Sequence, residues 1–231
     1  MKERIFSDLV AILAPDVIVE FGSWEGASAL AWASELGSLG HRGHIYCNDT
    51  WLGSVGHRTN TIPMSEWSFA HLRLLNGEPF LFETLCNAVT ANGFGGMISP
   101  VRASTSHGTA FLRQQSVKAN LVYVDARHSY SDAYRVLVLA NSVMTTHGVI
   151  ASDDWPWRGV RIAVVAFSAK HRRQILVSPD KVRYVLLPRE ESRVSTALIQ
   201  RGYRITSGAG ETVRVGKTYM KVGKRDSQKN N

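Results

Sequence analysis

The sequence predicts an α/β fold, a doubly wound Rossmann-like sheet that is mostly parallel and ends in a C-terminal antiparallel hairpin. Two observations carry the parallel part of that prediction. From Val17 to His171, short apolar runs rich in β-branched residues alternate with amphipathic helical stretches, and five of the runs end in or beside acidic or small polar residues. Runs of this kind suit strands buried on both faces, with the helices as crossovers. At 231 residues and 44% hydrophobic composition, the chain is long enough for one large domain and too short for two typical ones. A single domain over residues 1–215 and a basic, flexible tail over 216–231 is the expected organisation.

An N-terminal helix is expected over Glu3–Leu13, where Ile5, Phe6, Leu9, Val10, Ile12 and Leu13 give the apolar period and Pro15-Asp16 the stop. The first strand follows at Val17–Glu20 and the next helix at Ala27–Leu36, which runs out near Gly37 and Gly40. Further strands are read at His44–Cys47, Met97–Arg102, Leu121–Val124 and Val149–Ala151. Helices are read at Thr84–Asn92, Gly108–Gln115, Tyr130–Thr145 and Val160–His171. Past His171, the runs Gln174–Val177 and Val182–Leu187 flank the turn Ser178-Pro179-Asp180-Lys181, which is hairpin spacing.

The stretch from Trp51 to Glu83 is longer than an ordinary βα connection. Its first half is rich in loop formers, and Met64–Asn76 reads as a helix with Trp67, Ala70, Leu74 and Leu75 on one side. Long ordered loops at strand C-termini are usually lids or binding loops, so a substrate lid is expected over 51–83. A purely structural elaboration is the alternative.

Residues 17–28, Val-Ile-Val-Glu-Phe-Gly-Ser-Trp-Glu-Gly-Ala-Ser, read as a buried strand that ends in an acidic residue and turns through two glycines into a helix. Aligned on the dinucleotide fingerprint, Gly22 and Ala27 fit the first and third glycine places. Trp24 stands where the second glycine must let a pyrophosphate approach the backbone. Glu25 already puts negative charge at the helix N-terminus, so phosphate would meet repulsion there as well as the favourable dipole. A cationic or neutral ligand fits better, and S-adenosylmethionine, with ammonium and sulfonium charges and no phosphate, meets that description. Glu20, Gly22, Ser23 and Gly26 are the candidate residues of its loop. In open parallel sheets, ligands bind beyond the carboxyl ends of the strands, where Glu20, Asp49, Arg102 to Ser104, Asp125 and the pair Asp153, Asp154 all fall. Asp49, 23 residues beyond Gly26, offers two oxygens to two ribose hydroxyls. The alternative is an Asx turn or cap between strand and loop.

The segments Val124-Asp125-Ala-Arg-His128-Ser-Tyr130, Gly148-Val-Ile-Ala-Ser-Asp153-Asp154-Trp155 and Asn48-Asp49-Thr-Trp51-Leu-Gly53, with Gly159-Val160 through Phe167, resemble the class I S-adenosylmethionine-dependent methyltransferases. The resemblance is strongest to the macrocin-type small-molecule O-methyltransferases and covers residues 16–170. It implies the antiparallel ending of the sheet. It also implies that Asp125, Asp153 and Asp154 ligate Mg2+ or another divalent cation that binds the substrate hydroxyl. Three converging carboxylates repel one another, and a hard cation with oxygen ligands removes that repulsion and lowers the hydroxyl pKa. The alternative is that Asp154 caps the following helix, with Pro156 in its first turn, while Asp125 contacts the cofactor without metal.

His128, three residues past Asp125, is the candidate general base because an imidazole titrates near neutral pH. A helix-capping or substrate-orienting role is equally open. Arg127 stands where the resembled group commonly has an acidic residue. The turn Arg102-Ala-Ser104-Thr-Ser106 is expected, at the level of the family, to present amides and the Ser104 hydroxyl to the adenine edge. Asp125 is counted with the cofactor residues too. Trp24 and Trp51 are read as flanking or packing aromatics, and His57 and His107 as the remaining histidines near the pocket.

The formal charge of +8 is concentrated at the end, where eight lysines and arginines stand against Glu211 and Asp226 from Arg201 onward. A solvated terminus or contact with RNA are the two readings of that excess. Two cysteines, Cys47 and Cys86, are too few for a disulfide framework and lack metal-ligand spacing. No apolar run approaches the roughly 18 to 20 residues of a membrane span, and no cleavable signal opens the chain. A cytoplasmic enzyme acting on a small hydroxylated molecule, with a homo-oligomeric state left open, is the expectation. Its rivals are an RNA methyltransferase and a non-catalytic binding module of the same fold.

Overall fold

The computed structural model describes residues 4–54, 57, 69–126 and 128–207, together with the backbone of strands at 212–215 and 218–221. Eight strands hydrogen-bond in the order β10-β8-β9-β7-β6-β1-β2-β5. Their ranges, and the two compact units Met1–Asn120 and Leu121–Asn231 into which the chain divides, are as follows.

In the first unit, α1 (Arg4–Leu13) buries Ile5, Phe6, Leu9 and Val10. Phe6 meets the Trp32 ring edge-on at 4.4 Å. Ala14, with φ 39, ends the helix by donating its N–H to the Val10 carbonyl. β1 (Val17–Phe21) and β2 (His44–Asp49) pair in parallel, with Glu20 opposite Cys47. Between them α2 (Ala27–Ser38) buries Ala29, Trp32, Ala33 and Leu36. β5 (Ile98–Arg102) extends the pairing from β2, and Pro100, which has no N–H to give, sits there on the outermost strand. Asn48 locks the two strands by donating from Nδ2 to the carbonyls of Val101 and Ala103.

The described part of the long connection departs from expectation. Residues 64–68 lie outside the described residues, Phe69–Leu72 is a 3-10 helix, and β3 (Leu74–Leu75) pairs antiparallel with β4 (Glu78–Pro79). The expected helix through Asn76 gives way because Asn76 and Gly77, at φ 53 and 85, make the two-residue turn that Asn-Gly favours in hairpins. α3 (Leu81–Ala91) and α4 (Thr105–Gln114) complete the unit.

The second unit opens on β6 (Ala119–Val124), α5 (Tyr130–Ser142) and β7 (Met144–Ser152). The helix was expected to reach Thr145, but the chain turns at Val143, and the β-branched Thr145 and Thr146 go to the strand. α6 (Arg158–His171) follows, then β8 (Arg173–Val177) and β9 (Tyr184–Pro188). β9 pairs antiparallel with both β7 and β8, which is the expected hairpin, and Asp180 closes its turn by accepting the Val182 N–H. Arg173 is buried and donates to the carbonyl of Gly148 and to Asn141 Oδ1, tying α5 to β7.

Past Pro188, where the sequence suggested nothing, α7 (Ser192–Gln200) buries Val194 and Leu198, and β10 (Arg204–Thr206) pairs antiparallel with β8. β11 (Thr212–Val215) and β12 (Thr218–Lys221) form a separate antiparallel pair. The expected flexible tail therefore contains a strand at its start, and residues 222–231 lie outside the described residues. Among the described residues, no helix is long and apolar enough to cross a membrane.

Candidate active site

The first unit holds the glycine loop, and its geometry follows from β1 ending against β2. Gly22 has φ 91 and donates its N–H to the Asn48 carbonyl. Gly26 has φ 90, caps α2 and donates to the carbonyl of the buried Ser23. The positive φ favours glycine at position 26, and a Cβ there would also force the tip of the Leu85 side chain to move. Trp24, at φ 47, also takes the left-handed conformation, which costs an indole-bearing residue about 1 to 3 kcal/mol. Its backbone is held on both sides: the N–H donates to Asp49 Oδ2 at 3.0 Å, and the carbonyl accepts from the Trp51 indole at 2.6 Å.

Asp49 is the clasp of this region. Its Oδ1 takes the Trp51 N–H at 3.0 Å, an Asx turn, while Oδ2 holds the glycine loop. The two readings of Asp49 are compatible, since a carboxylate has about four acceptor sites and only two are filled by these amides. Trp51 is fully buried against Phe82, so it serves packing and support. The Trp24 ring stacks on His57 at 4.9 Å, and burial holds that imidazole below its ordinary proton affinity, in the neutral form. Glu25 pairs with Arg73 at 3.3 Å. The contacts to His57 and Arg73 come from the long connection and could not be read from the sequence, because they join residues distant in the chain.

Glu20 lies wholly inside, on β1. Burial pushes its carboxyl up to about 7, against the opposing pull of Ser28, Ser23 and Cys47. Ser28 donates to Oε1, while Oε2 has no well-formed hydrogen bond among the described residues. Such an oxygen is costly to bury and suits a ligand donor. Ser104 caps α4, its hydroxyl accepting the His107 N–H at 3.3 Å and standing 2.9 Å from His107 Nδ1.

The second unit gathers the acids and the histidine. Asp125 follows β6, His128 precedes α5, and Asp154 follows β7; one ligand atom from each lies within 4.8 Å of the others. His128 Nε2 is 3.0 Å from Asp154 Oδ1, with the carboxylate side chain 12% exposed and the imidazole 41%. The hydrogen bond to Asp154, together with the charges of Asp154 and Asp153, raises the proton affinity of His128 against the opposing effect of burial. Trp157 stacks on His128 at 4.6 Å and 11° between planes, although its own ring is 55% exposed. A Cβ on Gly159 would stand 2.3 Å from the His128 carbonyl, so this glycine lets α6 press on the loop that carries the imidazole.

Asp153 is adjacent in sequence yet outside that cluster, and its charge acts on His128 and on the buried Tyr184, whose hydroxyl is pushed up mainly by burial. The helix-cap alternative for Asp154 is not what forms. α6 starts at Arg158 with Trp157 as its cap residue, and Pro156 precedes the cap. Arg127 lies outside the described residues. Trp157 and Tyr184 adjoin these acids without having been singled out as functional: Trp157 had only its nearness to Asp154 in sequence as a signal, and Tyr184, on β9, had none.

Sequence comparison decides the family. The profile described as a methyltransferase domain matches residues 19–155, more than half the chain and spanning both the glycine loop and the paired acids. The chain belongs to this methyltransferase family. No curated protein sequence matches it significantly. Among solved structures, this methyltransferase resembles the O-methyltransferase NovP, at 14% identity and TM-score 0.59 over 80% of this chain and 78% of that one. CalS11, a calicheamicin methyltransferase, gives 18% identity and TM-score 0.57 over 80% and 76% of the two chains. TomG from Streptomyces achromogenes, involved in tomaymycin synthesis and solved with S-adenosylmethionine, gives 14% and 0.53 over 80% and 78%. At such identities the likeness speaks for the fold, which is the class I methyltransferase fold expected from the sequence.

Proposed function

We propose that this methyltransferase moves the methyl group of S-adenosylmethionine to a hydroxyl of a small molecule, with a divalent cation assisting at the acids of the second unit. The observation that carries the reading is the cluster of Asp125, His128 and Asp154 beyond the ends of β6 and β7, where ligands of open sheets bind. The fold neighbours support it by their own descriptions as O-methyltransferases.

In this reading Glu20, Gly22, Ser23 and Gly26 form the cofactor loop, Asp49 offers its spare acceptor sites to the ribose, and the turn at Ser104 faces the adenine. The unsatisfied Oε2 of Glu20 suits the cofactor's ammonium. The methyl carbon is already activated by sulfonium, so the protein's main task is to hold donor and acceptor in line. The residues present fit a cation, because two carboxylates and an imidazole offer hard and borderline donors within reach of one another. A bound cation would supply Lewis acidity that makes the acceptor hydroxyl easier to ionise. Without it, His128 in its pair with Asp154 is the group able to take the hydroxyl proton.

The test is calorimetry with S-adenosylhomocysteine, followed by methyl transfer to a panel of phenols, catechols and sugar alcohols with and without chelator. Micromolar binding and a methyl ether product are expected. Folded protein that ignores S-adenosylhomocysteine sinks the reading. Binding without transfer to any hydroxyl, or transfer to RNA alone, leaves the cofactor half and removes the acceptor half.

A further inference from the structure

We propose that Arg161 is a positioning residue of this enzyme: from the start of α6 it grips the two backbone carbonyls between Asp154 and Trp157, and so fixes the side chains that stand against His128. The inference rests on the proposed hydroxyl methylation and adds to it a residue that works on the acceptor side without touching donor or acceptor.

The segment from Asp154 to Trp157 is a turn that its own residues do not favour. Its closing bond runs from the Trp157 N–H to the Asp154 carbonyl at 3.1 Å, which makes Pro156 the third residue of the turn. Proline is disfavoured there in the common type I turn, because its ring pushes the residue before it out of the helical region. Bonds from outside the turn offset that. The Asp154 N–H donates to Ser152 Oγ at 3.2 Å, and the Trp155 N–H to the Val182 carbonyl at 3.0 Å. The carbonyls of Trp155 and Pro156 both accept from Arg161 Nη1, at 3.1 and 2.6 Å. Hydrogen bonds from an ionised donor are the stronger kind.

The place of Arg161 in its helix argues against an idle surface charge. α6 has no acidic residue in its first turn and carries Arg158 and Arg161 at that end instead. A cation there opposes the helix macrodipole, whose positive end lies at the N-terminus. The two carbonyls supply the compensating negative partners. Through the gripped turn, both neighbours of His128 are set: Asp154 Oδ1 stands 3.0 Å from its Nε2, and the Trp157 ring lies on its face at 4.6 Å. Gly159, from the same end of α6, lets the helix approach the His128 carbonyl. A misplacement of about 1 Å at such groups can cost roughly a hundredfold in rate.

The experiment compares Arg161→Met, which keeps the stem and loses both donors, with Arg161→Lys and with Arg158→Met, which removes the same charge from an exposed neighbour at the same helix end. Steady-state methyl transfer and calorimetry with S-adenosylhomocysteine are run on each. Arg161→Met should lower kcat roughly ten- to a hundredfold, with KM for S-adenosylmethionine and affinity for S-adenosylhomocysteine within about threefold of the parent. Both bonds come from one nitrogen, so an ammonium with three donors can replace them, and Arg161→Lys should recover kcat to within about fivefold. Arg158→Met should stay within about threefold, because it leaves the gripped turn intact. In protein labelled with 5-fluorotryptophan and assigned by single Trp→Phe changes, Arg161→Met should shift the Trp157 fluorine line and leave those of Trp24 and Trp51 in place. If Arg161→Met does not fold, the shorter Arg161→Gln takes its place in every measurement. The inference is overturned if kcat is unchanged, if it falls in step with S-adenosylhomocysteine affinity, if Arg158→Met loses as much, or if the Trp157 line does not move. Should the parent transfer methyl to no hydroxyl, the methylation reading falls, and the fluorine line alone decides whether Arg161 holds the turn.

Discussion

The glycine loop of the first unit and the acid-histidine cluster of the second are built on different principles. Around the loop, hydrogen bonds run largely to the backbone: Asp49 holds two amides, Trp51 a carbonyl, and Asn48 two carbonyls of the neighbouring strand. Around the cluster, the decisive contacts are between side chains, with His128 set between Asp154 and the exposed Trp157. Backbone positions change only by rebuilding the fold, whereas side chains change one at a time. The proposed function accounts for that division by giving the donor to the loop and the acceptor to the cluster.

Substitution at Gly26 should give the largest effect on the first side of the comparison. Gly26→Ala forces a Cβ into Leu85 at positive φ, so strain and overpacking together should cost about 2 to 5 kcal/mol. Thermal unfolding should show that loss, with S-adenosylhomocysteine affinity falling at least a hundredfold. An alanine variant that melts and binds like the parent would mean that the loop is not over-determined.

Glu20 gives the next effect, through pH. Its carboxyl is raised to about 7 in the fold from an ordinary 4.5, so the folded state keeps a proton that the unfolded state has lost. Stability should therefore fall as pH rises from about 4.5 to about 7 and stay lower above it, by about 3 kcal/mol in the free protein. Glu20→Gln should flatten that part of the profile. If the cofactor's ammonium settles on ionised Glu20, S-adenosylhomocysteine, which carries the same group, should bind roughly tenfold more tightly at pH 8 than at pH 6. Equal affinity at the two pH values would remove Glu20 from the ammonium's surroundings.

What the sequence could and could not show follows the same line. The turn through Glu20, Gly22 and Gly26 was legible because turn chemistry is local: a strand end, two glycines with positive φ and a helix start lie within one short segment. The strand ends that bear Asp125 and Asp154 were legible from apolar runs. The separation of Asp153 from Asp154 was not, since it depends on how the chain bends after β7 ends at Ser152. The stack of Trp24 on His57 was not legible either, because it joins residues distant in the chain. The hairpin at Asn76-Gly77 is different, because its signal was present in the sequence and the apolar spacing of Leu74 and Leu75 was read as helical instead.

The opposite pattern is expected in the second unit. Asp154→Asn removes a charge from an ion or from the His128 pair, so turnover should drop roughly a hundredfold. Its S-adenosylhomocysteine affinity should stay within threefold of the parent. Steady-state methyl transfer and calorimetry on one preparation make the check. A variant that loses cofactor binding in step with turnover would show that the two regions are not separable in function.

The smallest effect is expected where the two designs resemble each other most, at the ion pair of Glu25 and Arg73. This is a side-chain contact inside the first unit, 3.3 Å long, with the guanidinium 61% exposed. Exposed pairs are worth about 0 to 1 kcal/mol because water screens both charges and ordering two long side chains costs entropy. Arg73→Ala should thus leave the melting temperature within about 2 °C and cofactor affinity within threefold, since Asp49 and Trp51 hold the loop without it. A loss of tenfold or more in affinity would show that the long connection, and not the backbone clasp of Asp49, governs how the glycine loop receives its ligand.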